Sequence, residues 1–276
     1  MKVRFWGTRG SIPAPGSETS RYGGNTTCLE IQSGKTRLIF DAGTGIRQLG
    51  YLLKSENLPI RIIFTHFHWD HIQGLPFFIP IYIPDKPVEF YAYPPFYQGL
   101  KEMMMNQLQK DYFPAEYQTL PSLLKFFKLK KRNNSFGSLQ ISLIENNHPG
   151  GAIGYRLVEG KKAFVFLSDN ELKPPEARTD WTDFVQFCKG ADVLVHDAQY
   201  NDQELKEKPG WGHSSYSQVC QLALEAGVKQ LIFTHHEPLH SDDYIDDEVS
   251  QWREWIKDNG GGYDLRAASE GEEIEL

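Results

Sequence analysis

Four side chains able to bind a metal ion lie within six residues of one another in the segment Thr65-His66-Phe67-His68-Trp69-Asp70-His71. This segment directly follows the apolar run 60–64, whose β-branched and aromatic residues are typical of a buried strand. The loops that leave the carboxyl ends of strands are where α/β proteins usually place their chemistry. His66 and His68 alternate with aromatic residues, so an extended backbone would direct both imidazoles to the same side. These two histidines are therefore candidate ligands of one metal ion.

Asp70 and His71 break this alternation and would face a second ion beside the first. Zinc and similar cations take imidazole and carboxylate ligands, and the two ions of dinuclear sites lie roughly 3.5–4 Å apart. The alternative is that the histidines are satisfied core residues and that Asp70 forms a turn. The density of these residues directly after a predicted strand favours the metal site.

Other predicted strands end in residues of the same types. They place His148 after strand 138–144, Asp169 after strand 162–167, Asp197 after strand 192–195 and His235 after strand 231–233. A shared site at one edge of a sheet predicts this recurrence, whereas chance placement does not. We therefore expect these side chains to converge with the cluster at 66–71.

The pattern His-x-His-x-Asp-His at 66–71 resembles the signature of the metallo-β-lactamase superfamily. Residues 196–200 (His-Asp-Ala-Gln-Tyr) and 212–215 (Gly-His-Ser-Ser) are similar to segments of its ribonuclease Z-like and cyclic-phosphodiesterase branch, with Asp in place of Glu in the first. The resemblance covers nearly the whole chain. It implies an α/β fold, a four-layer αββα sandwich, with a dinuclear metal site at one edge of the sheets.

The same resemblance assigns the ligands. It implies that His66, His68 and His148 hold the first ion, that Asp70, His71 and His235 hold the second, and that Asp169 bridges the two. It also implies that Asp41, at the end of the predicted strand 36–40, supports a metal-binding histidine, although a plain turn-forming role is the alternative. His236 and His240 are neighbours whose part in the site the sequence alone does not decide.

Two such ions would lower the pKa of a bridging solvent molecule from about 15.7 toward ~7, which supplies a hydroxide nucleophile at neutral pH. They would also polarise a phosphoryl oxygen and stabilise the charge that develops on it. The leaving alkoxide then needs a proton, and His213, oriented or tuned by Asp197, is the candidate donor. A helix-capping or surface hydrogen-bonding role is the alternative for His213. With Asp70, this pair makes up the candidate catalytic residues.

The resemblance favours a small phosphodiester as substrate, first of all a cyclic nucleotide or cyclic phosphate, with Ser214 and Ser215 as candidate substrate-binding residues. One of these serines is also expected to cap the helix that runs to about Ala226. A tRNA 3′-processing enzyme or another RNA endonuclease is the alternative. The formal net charge of −7, from 29 basic and 36 acidic residues, weighs against a surface for long nucleic acid. An alternative of another class is a metal-binding sensor or scaffold without turnover, which would have no need of a proton donor.

The 276 residues contain no low-complexity linker, so we expect one domain, 1–276, with a proline- and aromatic-rich insertion at about 76–132. Within the insertion, one helix is predicted near 96–110, and the run Met103–Met105 is expected to pack on the core or on a partner subunit. The basic residues between Lys125 and Arg132 are interpreted as a solvated helix end or as phosphate contacts.

The remaining expectations concern cofactors, location and assembly. The ligands suit two divalent ions, with zinc as the first choice and manganese among the alternatives. The three cysteines have no Cys-x-x-Cys spacing and are expected to be buried apolar residues. No apolar run approaches the ~18 residues of a membrane span, so a cytoplasmic protein without a membrane partner is expected. A homodimer is the expected assembly.

Overall fold

Short β-branched and aromatic runs form the strands of the computed structural model, which describes residues 1–56, 58–94 and 96–276. The strands are β1 (Lys2–Gly7), β2 (Cys28–Ser33), β3 (Thr36–Phe40), β4 (Ile60–Ile63), β5 (Pro87–Ala92), β6 (Leu123–Lys128), β7 (Asn134–Phe136), β8 (Leu139–Asn146), β9 (Ala152–Glu159), β10 (Lys162–Leu167), β11 (Val193–Asp197), β12 (Gln230–Thr234), β13 (Asp264–Ala267) and β14 (Glu273–Glu275). They form two seven-stranded sheets, in the orders β14-β1-β2-β3-β4-β5-β6 and β13-β12-β11-β10-β9-β8-β7.

Apart from β8, which precedes His148, the strands that lead into the candidate ligands have one another as neighbours in each sheet. In the first sheet β3, β4 and β5 are parallel, with Ile39 opposite Ile62 and Ile63 opposite Tyr91. In the second sheet β10, β11 and β12 are parallel, with Leu167 opposite His196. Because parallel strands end at the same edge of a sheet, the loops after them meet there.

Helices cover the outer faces of both sheets. The helices are α1 (Ile46–Leu53), α2 (Trp69–Ile72), α3 (Phe96–Gln107), α4 (Trp181–Cys188), α5 (Asp202–Glu207), α6 (Tyr216–Ala226) and α7 (Asp242–Asp258). One apolar core fills the space between the sheets, and it includes Phe40, Tyr155 and Phe166. A second lies under α1 and α3, and a third under α4, α6 and α7. This arrangement is the predicted four-layer αββα sandwich.

The prediction of an insertion at 76–132 missed part of the sheet. β5 pairs with β4, and β6 pairs with β5 from Pro87↔Leu123 to Ala92↔Lys128, so this segment supplies two strands of the first sheet. β5 was obscured because it begins at Pro87, and β6 because its sequence, Leu-Leu-Lys-Phe-Phe-Lys, does not alternate apolar and polar residues. The basic run is accordingly not a helix end: its first part, Lys125 to Lys128, belongs to β6.

The predictions for the helix near 96–110 and for the cysteines agree with the structure. The predicted helix near 96–110 is α3, in which Met103 and Met104 are buried and Met105 is exposed. The three cysteines are buried and free. Among the residues described, no helix is both long and apolar enough to cross a membrane.

Candidate metal centre and proton-donor pair

The loops after the strands bring the predicted ligands together in two groups. In each group one ligand atom per residue lies within 4.8 Å of the others. The first group is His66, His68, His148 and Asp169, and the second is Asp70, His71, Asp169 and His235. These are the two ligand sets that the sequence predicts, and the carboxylate they share is the one predicted to bridge.

Asp169 directs its two oxygens to different groups. Its Oδ2 lies 3.7 Å from Nε2 of His66 and 3.7 Å from Nε2 of His148. Its Oδ1 lies 3.0 Å from Nε2 of His71 and 3.4 Å from Nε2 of His235. Each carboxylate oxygen has free lone pairs, so this orientation allows one residue to bind an ion on either side.

Hydrogen bonds to Nδ1, the imidazole nitrogen that points away from Asp169, determine how the ligand histidines are oriented. Nδ1 of His71 lies 2.8 Å from Oδ2 of Asp41, and Nδ1 of His148 lies 3.0 Å from the Gly212 carbonyl oxygen. Nδ1 of His235 lies 3.0 Å from the side-chain oxygen of Gln199. In each pair the oxygen accepts the Nδ1 proton, so Nε2 is the nitrogen that faces the other ligands. Nε2 of His148 lies 2.9 Å from Nδ1 of His68, and Nε2 of His235 lies 3.0 Å from Oδ2 of Asp70.

Thr65 extends this network to His66. The Thr65 hydroxyl donates to Oδ2 of Asp41 at 2.8 Å, so it can accept from Nδ1 of His66, 3.0 Å away. Asp41 also accepts from the Thr65 backbone N–H. The buried Asp41 carboxylate therefore orients ligands of both groups, one directly and one through Thr65.

The donor atoms fit a pair of divalent cations. Nε2 of His66 and Nε2 of His71 are buried and form no hydrogen bond with the described residues. A buried polar atom without a partner costs free energy. Both atoms face Asp169 from opposite groups, and a cation in each group would satisfy them. Imidazole and carboxylate ligands of this kind suit zinc and related metals.

The first group is uncharged apart from Asp169. Burial lowers the pKa of His66 well below its usual value and also lowers the pKa of His68. Burial lowers the pKa of His148 to about 4. These three imidazoles are therefore neutral at pH 7, the state in which histidine binds a metal.

In the second group the nearby carboxylates affect the histidine pKa values more than burial does. Burial opposes protonation of His71, but the Asp169, Asp70 and Asp41 carboxylates outweigh it and raise its pKa well above the usual value. Burial is likewise outweighed at His235, where Asp169 and Asp70 raise the pKa to about 9. The neighbouring imidazoles in turn hold the pKa of Asp70 and of Asp169 well below the usual value, despite burial. A cation bound in this group would compete with protons for the same nitrogen atoms.

His213 and Asp197 form a pair beside the second group, and with His235 they make a third set whose potential ligand atoms lie within 4.8 Å of one another. Nδ1 of His213 lies 2.6 Å from Oδ2 of Asp197. The Asp197 carboxylate is completely buried and also accepts from the backbone N–H groups of Asn170 and Gln199. These hydrogen bonds fix the orientation of the Asp197 carboxylate, and the carboxylate in turn orients the His213 ring. Nε2 of His213 forms no hydrogen bond with the described residues, and the ring lines the cavity above the ligands.

That cavity has a volume of about 440 Å³. Its walls are Ser11, Phe67, His68, Trp69, Asp70, Asp169, His213 and His235. Ligands of both groups and the His213 ring therefore face one open space. A substrate there would contact both the metal ligands and the candidate proton donor.

Two predicted substrate-binding residues lie outside this cavity. Ser214 and Ser215 are completely buried. Ser214 donates to the Asn170 carbonyl oxygen and accepts from the Leu172 N–H, and Ser215 caps α6. Both hydroxyls are thus engaged within the protein, and the cap formed by Ser215 confirms the predicted capping of this helix.

His236 and His240 also lie away from the ligand groups. The His236 ring contacts the Ala268 carbonyl oxygen through Nε2, and His240 contacts Glu204 at 2.9 Å. Neither belongs to a group that could hold a metal among the described residues. Of His235, His236 and His240, only His235 lies close to Asp169.

Sequence reasoning missed Gln199, which links the pair to the second group. Its backbone N–H donates to Asp197, and its side-chain oxygen accepts from His235. Gln199 is the third residue after His196 in the segment that resembles ribonuclease Z, so its position was visible. Its role was not, because the contact joins residues 36 apart in the chain.

Two sheets with helices on their outer faces, and two histidine–aspartate groups that share one carboxylate, define the class of dinuclear metal-dependent hydrolases. Residues 36–236 match the family described as beta-lactamase superfamily domain. The chain belongs to this superfamily, in its ribonuclease Z-like branch.

Relatives support this placement. The ribonuclease Z of Methanosarcina mazei is 27% identical over 88% of this chain and 90% of its own length. The ribonuclease Z of Brevibacillus brevis is 28% identical over 88% of this chain and 87% of its own. Among solved structures, the metallo-beta-lactamase fold protein YhfI of Bacillus subtilis superposes with a TM-score of 0.72 at 19% identity, covering 100% of this chain and 99% of that one. This last likeness concerns the fold alone.

Proposed function

We propose that the protein hydrolyses a small phosphodiester, a cyclic nucleotide or cyclic phosphate in the first instance. The observation that carries this proposal is the hydrogen-bonded pair of His213 and Asp197 beside the two ligand groups, in the same cavity. A phosphodiester needs both a charged site for its phosphoryl oxygens and a proton for its leaving alkoxide. Thioester hydrolysis makes less demand for a donor, because a thiolate can leave without a proton.

Two divalent ions, proposed to be Zn²⁺ with Mn²⁺ as the alternative, would supply Lewis-acid catalysis and a low solvent pKa when bound. The two ligand groups, which share Asp169, would hold these ions. Asp41, Gln199 and the Gly212 carbonyl hold the ligating imidazoles in one tautomer. The protein thus fixes the site before substrate arrives, which lowers the cost of reorganisation during the reaction.

The donor pair handles the proton. Nδ1–H of His213 donates to Asp197, so Nε2 faces the cavity and, in the imidazolium form, carries the proton that the leaving alkoxide takes. Asp197 stabilises that imidazolium and prevents the ring from turning. General acid catalysis of this kind contributes about 10²–10⁴-fold to a rate.

The test is hydrolysis of a panel of 3′,5′-cyclic nucleotides, 2′,3′-cyclic nucleotides and a tRNA precursor, with Zn²⁺ and with Mn²⁺. Wild type is compared with His68→Ala and His213→Ala. We expect cyclic-nucleotide turnover that both variants lose. Cleavage of the tRNA precursor alone would contradict the proposed substrate. Absence of turnover with both metals bound would contradict the proposed reaction.

The choice of leaving group distinguishes the role of His213 as proton donor from the role of His68 as metal ligand. Bis-p-nitrophenyl phosphate releases p-nitrophenolate, which needs no proton. His213→Ala should therefore retain most activity toward this diester and lose activity toward the cyclic nucleotide by about 10²–10⁴-fold. His68→Ala should lose both activities, because it removes a metal ligand. An equal loss on both substrates in His213→Ala would assign His213 a structural role.

RNA cleavage is a second candidate, favoured by the names of the relatives and by one surface feature. A groove of about 660 Å³ crosses the outer face of β8 and β9, and Lys131, Arg132, Arg156 and Arg178 line it with Glu145 and Asp183. Arg178 joins the groove to the site, since its backbone N–H donates to Asn147, the residue before His148. Grooves with excess positive charge attract phosphates.

The variant Arg178→Ala tests this candidate. If the groove holds RNA, the variant should raise the KM for a tRNA precursor and weaken the salt dependence of binding, with no change for a cyclic nucleotide. Lys161→Ala, which removes an exposed cation from the β9–β10 hairpin, is the control. Equal effects of the two variants would exclude a specific role for the groove.

A further inference from the structure

Trp69 is an exposed apolar side chain in the wall of a polar cavity. It is 67% exposed, although tryptophan is normally well buried in folded proteins. The remaining walls of the cavity are polar or charged, except for Phe67. A phosphate would be held by the polar part. The indole is thus the main apolar surface offered to whatever the phosphate carries.

The two aromatic residues of the ligand segment differ in their partners. Phe67 packs against Phe64 and Phe96, each at 5.6 Å between ring centroids. Trp69 makes no aromatic contact and no side-chain hydrogen bond with the residues that the structure describes. Phe67 is therefore explained by packing within the protein, whereas Trp69 is not.

The backbone of Trp69 is nevertheless held firmly. It is the first residue of α2, and its carbonyl accepts from the Gln73 N–H at 2.8 Å. Its neighbours His68 and Asp70 are both candidate ligands, and Asp70 accepts from the Ser11 N–H at 2.8 Å. The indole thus projects from a fixed point beside the ligands, and tryptophan has only two side-chain torsions to immobilise when it binds a ring.

We propose that Trp69 is the stacking platform for the base of a nucleoside phosphodiester bound at the metal centre. This inference rests on the proposed function, because it requires that the phosphate belongs to a nucleoside. Every base has a π face, so such a platform would accept purines and pyrimidines alike. Removal of an aromatic platform typically weakens binding by about 5- to 150-fold.

The test measures binding of a matched pair of ligands to the metal-loaded protein. AMP and ribose 5-phosphate have the same phosphate and sugar, and they differ in the base. Calorimetry or equilibrium dialysis should show that wild type and Trp69→Phe bind AMP more tightly than ribose 5-phosphate. Trp69→Ala should lose about 5- to 150-fold in affinity for AMP and little for ribose 5-phosphate.

Trp211→Ala is the matched control, because Trp211 is similarly exposed (60%) and does not line the cavity. It should bind both ligands as wild type does. Unchanged AMP affinity in Trp69→Ala would overturn the proposal. An equal loss for both ligands would also overturn it, because Trp69 would then act through the neighbouring ligands. Metal content, measured on each variant, identifies that second case directly.

Failure of this inference is distinguishable from failure of the proposed function. If wild type hydrolyses a cyclic nucleotide and Trp69→Ala has the same KM, the function stands and the stacking role is wrong. If no cyclic nucleotide is hydrolysed but AMP binding depends on Trp69, the stacking role stands and the substrate assignment is wrong. With both correct, Trp69→Ala should raise KM and leave kcat nearly unchanged.

Discussion

The rings of His213 and His235 lie almost parallel, with 5.0 Å between their centroids and 19° between their planes. One is the candidate proton donor and the other a ligand of the second group. Gln199 connects the two residues, because its backbone N–H donates to Asp197, the partner of His213, and its side-chain oxygen accepts from His235. The donor and the metal centre are therefore built as one unit, and the position of either ring constrains the other.

This unit predicts the effect of Asp197→Asn. The amide keeps the size of the side chain but can no longer stabilise the imidazolium of His213. We expect kcat for a cyclic nucleotide to fall by about 10²–10⁴-fold, with a much smaller effect on bis-p-nitrophenyl phosphate. Steady-state kinetics on the two substrates measure the difference. Loss of bound metal in this variant would instead indicate that Asp197 acts mainly through Gln199 and His235.

Asp41→Asn should weaken metal binding without removing a ligand. Asp41 accepts from His71 directly and reaches His66 through Thr65, so the amide disturbs both groups. Loss of such a supporting carboxylate typically lowers metal affinity or activity by about 10–100-fold. Competition with a chromophoric chelator measures the affinity. Asp111→Asn, which removes an exposed carboxylate, is the control, and an equal change there would contradict the role of Asp41.

Much of this site could be predicted from the sequence because its chemistry is local. Each ligand directly follows a buried run whose residue types indicate a strand, so the strand ends could be located without the structure. Asp41, Asp169 and His235 all have positive φ at these ends, a strained conformation that surrounding contacts must maintain. The strand pattern locates these residues in the sequence, but their left-handed conformation follows only from tertiary contacts.

The parts that the sequence did not predict depend on distant contacts. β5 and β6 were missed because their pairing partners lie far away in the sequence and the prolines in and around them suggested a loop. Ser214 and Ser215 are local in one respect, since the capping of the following helix was predictable from the sequence, whereas the burial of both side chains depends on tertiary contacts. Trp69 is the opposite case, a residue between two ligands whose exposure no sequence pattern indicated.

The two metal sites should differ in the protons that they release. The imidazoles of the first group are neutral at pH 7, with the pKa of His148 near 4. In the second group the raised pKa of His235, about 9, keeps it protonated below that pH. A metal ion must displace that proton, so the affinity of the second site should rise with pH up to about 9, by about tenfold per pH unit for one proton.

Calorimetry in buffers with different ionisation enthalpies counts the released protons. His235→Ala, which retains the first site, should release almost none on binding one Zn²⁺ at pH 7. His68→Ala, which retains the second site, should release about one or more. Equal proton release from the two variants would contradict the contrast in charge between the groups.

Gly212→Ala should damage the first site through a steric clash. A Cβ at this position would lie 2.1 Å from Nδ1 of His148, and the Gly212 carbonyl oxygen accepts the proton of that same nitrogen. The loop must therefore move, and His148 must move with it. We expect a lower metal content and a loss of activity that added metal restores only in part, measured by elemental analysis and kinetics.

Gly210→Ala is the matched control for this prediction. Gly210 and Gly212 have similar positive φ values, 79° and 88°, so an alanine is strained at both. At Gly210, however, a Cβ would meet no atom within 4 Å. Gly210→Ala should therefore lower the thermal stability of the protein, because of the strained backbone, but it should not lower the metal content. If both variants lose metal equally, strain in the loop explains the effect, and close contact with His148 does not.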